Sequence, residues 1–375
     1  MNPRHTGIAL IALMLTACAT GPTTQPAAHD VLQKTKRFGL RAVLASLISQ
    51  AEQEVKNQPE RALATLEKAW NLTPSLIDDR IVRAAVSAHP QTDNSSMLRR
   101  VAHVAKAQDA FAGNQAKEVR RLLATAHTTH DLTEARRLLL LALVEIGSDV
   151  DSAKMALARL ANGALSSEAG KELQQLARTT AASIDFDKEK LGPAIQSYMR
   201  VSEESAYWPT ARTAISWAQY QIGKYDRAIA GLKLLPEGLS TAPDRALLAA
   251  VCHHQQGQTK EALSVLSQAK MHQAKWLEGK LSPHAVLQAV KDEETPPGLI
   301  AAVVWHPPIR LLAREINATD GAIAGADASY QDALKAYRAK AWSKLESMVA
   351  SKAARAREHA SAAFEKLGIL EPQLK

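Results

Sequence analysis

Apolar residues recur every three or four positions along most of this chain, and runs alternating apolar with polar at every second residue are absent. That period gathers apolar side chains on one face of a helix and argues against half-buried strands. It predicts helices near residues 31–56, 59–71, 76–88, 94–112, 115–127, 131–146, 149–162, 166–182 and 187–202, then near 206–222, 225–235, 243–256 and 259–278. The spacers are short, as between antiparallel neighbours in a helical array. After about Trp276 the pattern changes. Asp292-Glu293-Glu294-Thr295-Pro296-Pro297-Gly298 is a charged, proline-marked break, and the apolar helix expected after it meets Pro307-Pro308, which must kink or interrupt it. Residues 321–325 read as a small-residue turn. From 327 to about 367 no Gly or Pro intervenes, which predicts one helix of roughly 60 Å at 1.5 Å per residue. Tyr330, Leu334, Tyr337, Ala341, Leu345 and Met348 give it a narrow apolar stripe. The stripe suits a cap on the array, a hairpin with the 298–320 helix, or a docked partner, with packing inside the molecule the first expectation.

Two segments repeat one another. Gly223-Lys224-Tyr225-Asp226-Arg227-Ala228-Ile229 and Gly257-Gln258-Thr259-Lys260-Glu261-Ala262-Leu263 align with their glycines, and their alanines, 34 positions apart. Leu266 and Ala269 follow the second copy. An earlier stretch, Pro59-Glu60-Arg61-Ala62-Leu63 followed by Leu66, Ala69 and Pro74, matches the latter half of the same unit. Weaker copies lie at Gly113-Asn114-Gln115-Ala116-Lys117-Glu118 and over 191–201, while between Gln91 and Ser183 no clean 34-residue register is visible. The period and these residues resemble the tetratricopeptide repeat (TPR). In that family the glycine closes the first helix of a pair in a left-handed turn, where a Cβ would be strained, and the alanine sits where the two helices approach closely. The resemblance implies an all-α fold, a TPR-like α-solenoid of stacked antiparallel helix pairs with a C-terminal long-helix region. Trp217 departs from the repeat pattern, since it falls well inside its helix.

The chain's first thirty residues carry a different signal. Arg4, an apolar run over 8–15 and the small-residue end Leu15-Thr16-Ala17-Cys18 follow the layout of a secretory leader. The run is too short for a stop-transfer helix, which takes about 20 residues. A cysteine directly after Leu-x-Ala resembles the signals of bacterial lipoproteins; an ordinary cleaved leader with a chance cysteine is the competing reading. The resemblance implies cleavage before Cys18, a diacylglyceryl group on its thiol, and stable anchoring by several acyl chains where one would hold only marginally. Ala19 follows, rather than the aspartate that retains such proteins at the inner membrane in enterobacterial sorting, which implies the periplasmic face of the outer membrane. Residues 19–30 hold few large apolar side chains and read as a flexible tether. The expected organisation is a signal peptide over 1–17, a tether over 18–30, a solenoid over 31–278, a linker over 279–297 and a C-terminal helical hairpin over 298–375.

Composition agrees: 46% of the 375 residues are hydrophobic but only 4% aromatic, so alanine and leucine must fill the core. The net charge is +8, of which residues 1–17 supply only Arg4. Such a balance favours weak contact with anionic lipid, lipopolysaccharide or acidic proteins. An exported chain without a basic run interleaved with aromatics is not read as binding nucleic acid. With Cys18 assigned to lipid, Cys252 has no disulfide partner, and Leu247, Leu248 and Val251 around it point to a core position. No Gly-x-Ser-x-Gly, Walker loop, His-Glu-x-x-His or Cys-x-x-Cys occurs. No catalytic residue, metal site or cofactor is therefore assigned, and a non-enzyme is expected. His127 and His130 stand three apart at a helix end, where Asp131 reads better as the cap of the next helix. His253 and His254 point about 100° apart on a helix and cannot easily share an ion. His306, just before Pro307, reads as structural.

Tyr198, Tyr207, Trp208, Trp217, Tyr220 and Tyr225 concentrate in a chain otherwise poor in rings. Their first reading is filling between helices. The functional reading places Tyr207, Trp208, Tyr220 and Tyr225 on a groove as anchors for a partner, because aromatic side chains dominate interface energetics. The run Tyr207-Trp208-Pro209-Thr210-Ala211, then Ser216-Trp217-Ala218, Gly223-Lys224-Tyr225-Asp226 and Ala228, resembles a signature of deltaproteobacterial TPR lipoproteins linked to gliding motility and Tol-Pal-like envelope machinery. Together the resemblances imply a lipid-anchored scaffold or adaptor that binds other envelope proteins through its groove. The alternatives are an activator of peptidoglycan synthesis, a component of outer-membrane barrel assembly, and a glycan- or lipopolysaccharide-binding lipoprotein.

Overall fold

The computed structural model describes residues 47–72, 97–127, 131–165, 168–240, 242–296, 298–325 and 328–374. The signal peptide, Cys18, the tether and the helix expected at 76–88 lie outside them. The described residues are all-α. After a helical segment at 47–54 come α1 (Pro59–Leu72), α2 (Met97–Ala112), α3 (Ala116–Ala124), α4 (Asp131–Glu145), α5 (Val150–Ala161), α6 (Glu168–Asp187) and α7 (Leu191–Tyr198). Next are α8 (Trp208–Gln221), α9 (Tyr225–Lys233), the short α10 (Glu237–Ser240), α11 (Pro243–Gln255), α12 (Thr259–Met271) and α13 (Gln273–Leu277). The chain finishes with α14 (Pro283–Lys291), α15 (Leu299–Val304), α16 (Pro307–Gly325) and α17 (Ala328–Leu374). Consecutive helices pack as pairs: α2 with α3, α4 with α5, α8 with α9 and α11 with α12.

One turn geometry recurs between the paired helices. Asn114, Glu189, Gly223 and Gly257 all have φ between +57° and +74°. In each turn the next amide reaches back to a carbonyl five residues upstream: Gln115 to Ala110 at 2.8 Å, Lys190 to Asp185 at 2.9 Å, Lys224 to Gln219 at 2.8 Å and Gln258 to His253 at 2.9 Å. This bond satisfies one of the carbonyls that a helix end leaves open. Two further turns, before α1 and before α5, use a tighter closure on Glu54 and Glu145, with Asp149 accepting from the Ser152 amide at 3.0 Å. Four residues after each turn stands a side chain with no accessible surface: Ala62, Val119, Ala153, Ala194, Ala228 and Ala262. The repeat therefore occurs six times among the described residues. Val119 and Ala153 are 34 apart, a register hidden in the sequence by valine replacing alanine and by Asn114 and Ser148 standing where the other turns have glycine. From Ala153 to Ala194 the spacing is seven longer, and α6 is a 20-residue helix where α8 has 14. Seven residues are two turns to within about 20°, so the insertion leaves the packing face unchanged.

The chain divides into two compact units, one of residues up to Ala177 with Glu315–Trp342, the other of Arg178–Arg314 with Ser343–Lys375. In the first unit α4 lies against both α2 and α3. The start of α17 is held to α16 by Arg338, which donates to both Asp320 oxygens at 2.5 and 3.3 Å, and by Tyr337 Oη to Glu315 at 3.5 Å. Lys340 pairs with Glu52. In the second unit the hairpins α8/α9 and α11/α12 pack side by side. Ala360, Phe364, Leu367 and Leu374 of α17 join Ala246, Ala250, Ala262, Leu266, Ala269 and Trp276 in one apolar cluster. Lys270 pairs with Glu371, and Arg357 donates to the Gly279 carbonyl at 2.8 Å.

Three expectations change. Residues 279–297, read as a linker, contain α14, with Ser282 capping it through the Ala285 amide at 3.1 Å and Val286, Ala289 and Val290 buried. The small residues 321–325 do not turn; α16 runs through them because Ala322 and Thr319 are wholly buried on its face. Finally, α17 passes Gly368 and Pro372 to reach Leu374, 47 residues and about 70 Å of helix. Its last turns are fixed by the burial of Leu367 and Leu374. Pro307 and Pro308 break the chain as expected: α15 ends at Val304, and the prolines begin α16, where a missing amide proton costs nothing.

Candidate functional site

The aromatic segment spans α7 to the start of α9, all within the second unit. Tyr198 closes α7, 4% exposed, its hydroxyl 2.8 Å from Ser183 Oγ; burial pushes its pKa up to about 12. Tyr207 and Trp208, at 4% and 8% exposed, are buried as the chain enters α8. The Tyr207 amide donates to Ser205 Oγ at 3.0 Å, and the Arg212 guanidinium stands 5.4 Å from the Trp208 ring. These two rings therefore seat α8 rather than receive a partner, which corrects the sequence reading. The reason is local: Pro209 starts the helix and turns the preceding residues inward, beside Ala206 and Ala211, which are buried with them.

Tyr220 and Tyr225 behave differently. Both are half-exposed, and with Trp217 they form a file of rings: Trp217 to Tyr220 edge-on at 5.9 Å, Tyr220 to Tyr225 tilted at 5.8 Å. The turn at Gly223 makes this file possible, because it reverses the chain between Tyr220 on α8 and Tyr225 at the start of α9. Trp217 was missed as a surface residue. Its spacing of three from Tyr220 was the available signal, since residues three apart on a helix are neighbours.

Behind the rings the two helices meet closely. A Cβ on Gly231 of α9 would lie 2.5 Å from Ser216 Oγ of α8, and Ser216 is wholly buried. The next hairpin is tied on by Arg245, which donates to Thr213 Oγ1 at 3.0 Å and to the Leu239 carbonyl at 2.7 Å. At the turn edge Gln256 donates to Asp226 at 2.6 Å. The rings thus sit on a rigid two-hairpin frame, and its chemistry is that of an apolar contact surface.

The other singled-out residues are dispersed. Cys252 has no accessible surface, and burial raises its thiol pKa to about 11, well away from a reactive thiolate. His127 lies 3.6 Å from Glu134, which also accepts from Nε and Nη2 of Arg137, while His130 lies outside the described residues. His306 is buried at the junction of α15 and α16; burial, and then the charges of Lys352 and Arg355, bring its pKa down to about 3. No described helix is long and apolar enough to cross a membrane. No protein-family model and no curated protein matches this chain.

Proposed function

We propose that this protein is a lipid-anchored scaffold or adaptor at the periplasmic face of the outer membrane, binding other envelope proteins through its helical-hairpin array. The Leu15-Thr16-Ala17-Cys18 end of an export leader carries the anchoring half of the reading. The repeated hairpins, with the half-exposed file Trp217, Tyr220 and Tyr225 on a rigid frame, support the binding half. Helical repeats offer extended surfaces assembled from equivalent positions of successive units. An anchor that confines the array to a thin layer raises its effective concentration for neighbours in that layer. The likeness of the 207–228 segment to gliding-motility and Tol-Pal-associated TPR lipoproteins points to envelope machinery as the client. Activation of peptidoglycan synthesis and barrel assembly remain readings of the same fold with another client.

The test has two arms. Labelled palmitate should enter the wild-type protein and not Cys18→Ser, which should leave the outer-membrane fraction for the soluble periplasm. Cross-linking mass spectrometry on intact membranes should recover an envelope protein attached near Tyr220 and Tyr225, with the yield reduced in Tyr220→Ala/Tyr225→Ala. An unacylated wild type, or cross-links confined to lipid, would end this reading.

A further inference from the structure

Only one asparagine of this chain is followed by glycine, Asn162-Gly163, and the fold leaves that dipeptide open to its own chemistry. Asn162 caps the C-terminal end of α5, with Gly163 and Ala164 after it, and all three are exposed. The Asn162 backbone nitrogen donates to the Ala158 carbonyl at 3.1 Å, but its side chain makes no hydrogen bond or ion pair among the described residues. The carboxamide can therefore turn toward the main chain. The Gly163 amide reaches the Leu160 carbonyl at 3.3 Å, beyond the usual range for such a bond. The Gly163 carbonyl is anchored on α6, where it accepts from Nε2 of Gln174. The peptide joining 162 to 163 can accordingly rotate by itself, through opposite changes in Asn162 ψ and Gly163 φ, and glycine has the freedom to take up that change. Nothing in the folded backbone demands glycine here. Its φ is not positive, and a Cβ would meet the Arg159 and Leu160 carbonyls at 3.5 Å, an ordinary contact.

The comparable places in the chain are closed. Asn57, Asn71, Asn114 and Asn317 precede Gln58, Leu72, Gln115 and Ala318, whose side chains hinder attack by the following nitrogen. Asp320-Gly321 has the unhindered spacing, but α16 runs through it and Arg338 holds the Asp320 carboxylate. We propose that Asn162 is a site of spontaneous deamidation in the folded protein, with the Gly163 nitrogen as the nucleophile. That nitrogen forms a bond to Asn162 Cγ while the Cγ–Nδ2 bond breaks. The proton from the Gly163 nitrogen leaves with Nδ2 as ammonia, and a five-membered succinimide remains. Water, the only co-reactant, then opens the ring. Breaking the new bond from Gly163 to Cγ gives aspartate; breaking the original peptide bond gives isoaspartate, with the main chain now running through Cγ. No electrons are transferred. Either product sets a carboxylate at the negative end of α5, where the helix dipole disfavours it, with the exposed Arg159 three residues back. Isoaspartate also adds a methylene to the main chain, which carries the Gly163 amide away from Leu160 and opens the last turn of α5.

The test holds the purified full-length protein in warm, mildly alkaline buffer and follows it by peptide mapping with mass spectrometry. Isoaspartate is counted independently, by methyl transfer from a labelled donor with an isoaspartyl methyltransferase. Conversion should appear at Asn162 ahead of every other asparagine, while Asp320 stays unchanged. Gly163→Ala should slow it about tenfold or more, with circular dichroism identical to the parent because the Cβ has room. Asn162→Gln should remove the methyl acceptor at this place. Hydrogen exchange in the converted protein should quicken at the Gly163 and Ala164 amides. Survival of Asn162 in the folded protein, under an incubation that converts it in the urea-unfolded chain, would overturn the proposal. Conversion of Gly163→Ala at the parental rate would do the same. Neither acylation nor a partner enters these measurements, so failure here leaves the adaptor reading to its own test.

Discussion

Glu189 occupies the place in its turn that Gly223 and Gly257 hold in theirs, with φ +60° against their +74°. A residue with a Cβ in the left-handed region is strained by roughly 1–2 kcal/mol. Its side chain is exposed and makes no hydrogen bond or ion pair among the described residues. Glu189→Gly therefore removes strain and nothing else from the folded state. Glycine's larger freedom in the unfolded chain returns part of the gain, about 0.5–1 kcal/mol. The net expectation is a stabilisation of about 0.5–1 kcal/mol, unusual for a substitution to glycine. The reverse change, Gly223→Ala, meets open space, with no heavy atom within 4 Å of the new Cβ. Its torsional strain of roughly 1–2 kcal/mol is offset in part by the lost unfolded-state freedom of glycine, leaving a net cost of about 0.5–1 kcal/mol. Both are read by urea unfolding followed at 222 nm, as midpoint shifts in opposite directions at unchanged slope. Hydrogen exchange should show the same change at the Lys190 and Lys224 amides, which close the two turns. If Glu189→Gly destabilises while Gly223→Ala does not, the equivalence of the turns is wrong, and with it the repeat assigned to α6 and α7.

Two further substitution experiments follow from the packing. Gly231→Ala sets a methyl 2.5 Å from Ser216 Oγ and should cost about 1–3 kcal/mol; adding Ser216→Ala should restore stability, because the remaining contact is an ordinary 3.8 Å, and a cycle showing no coupling would refute the close approach. His306 is held neutral, its pKa at about 3 against an ordinary 6.5, so the unfolded chain takes up a proton in that interval and the folded one resists. Stability from this group is complete above pH 6.5 and is lost as pH falls toward 3, on the order of several kcal/mol; His306→Gln should flatten that part of the pH–stability curve, and an unaltered curve would contradict the burial.

What the sequence determined by itself was periodic or covalent. The helix class follows from the spacing of Leu and Ala, the strongest repeats from Gly223, Gly257 and the alanines that follow, and the break before α16 from the rigid rings of Pro307 and Pro308. Each rests on backbone torsion or side-chain volume at one position and survives any arrangement of the rest. The weaker repeats were concealed because tertiary packing tolerates what local preference disfavours: Glu189 and Asn114 hold a glycine's torsion, and Val119 an alanine's place, once neighbouring helices fix the turn. Burial was likewise settled only in three dimensions. Tyr207 and Tyr220 are the same residue type thirteen positions apart, yet one is enclosed where the chain enters α8 and the other remains at the surface, since exposure depends on which helices arrive alongside.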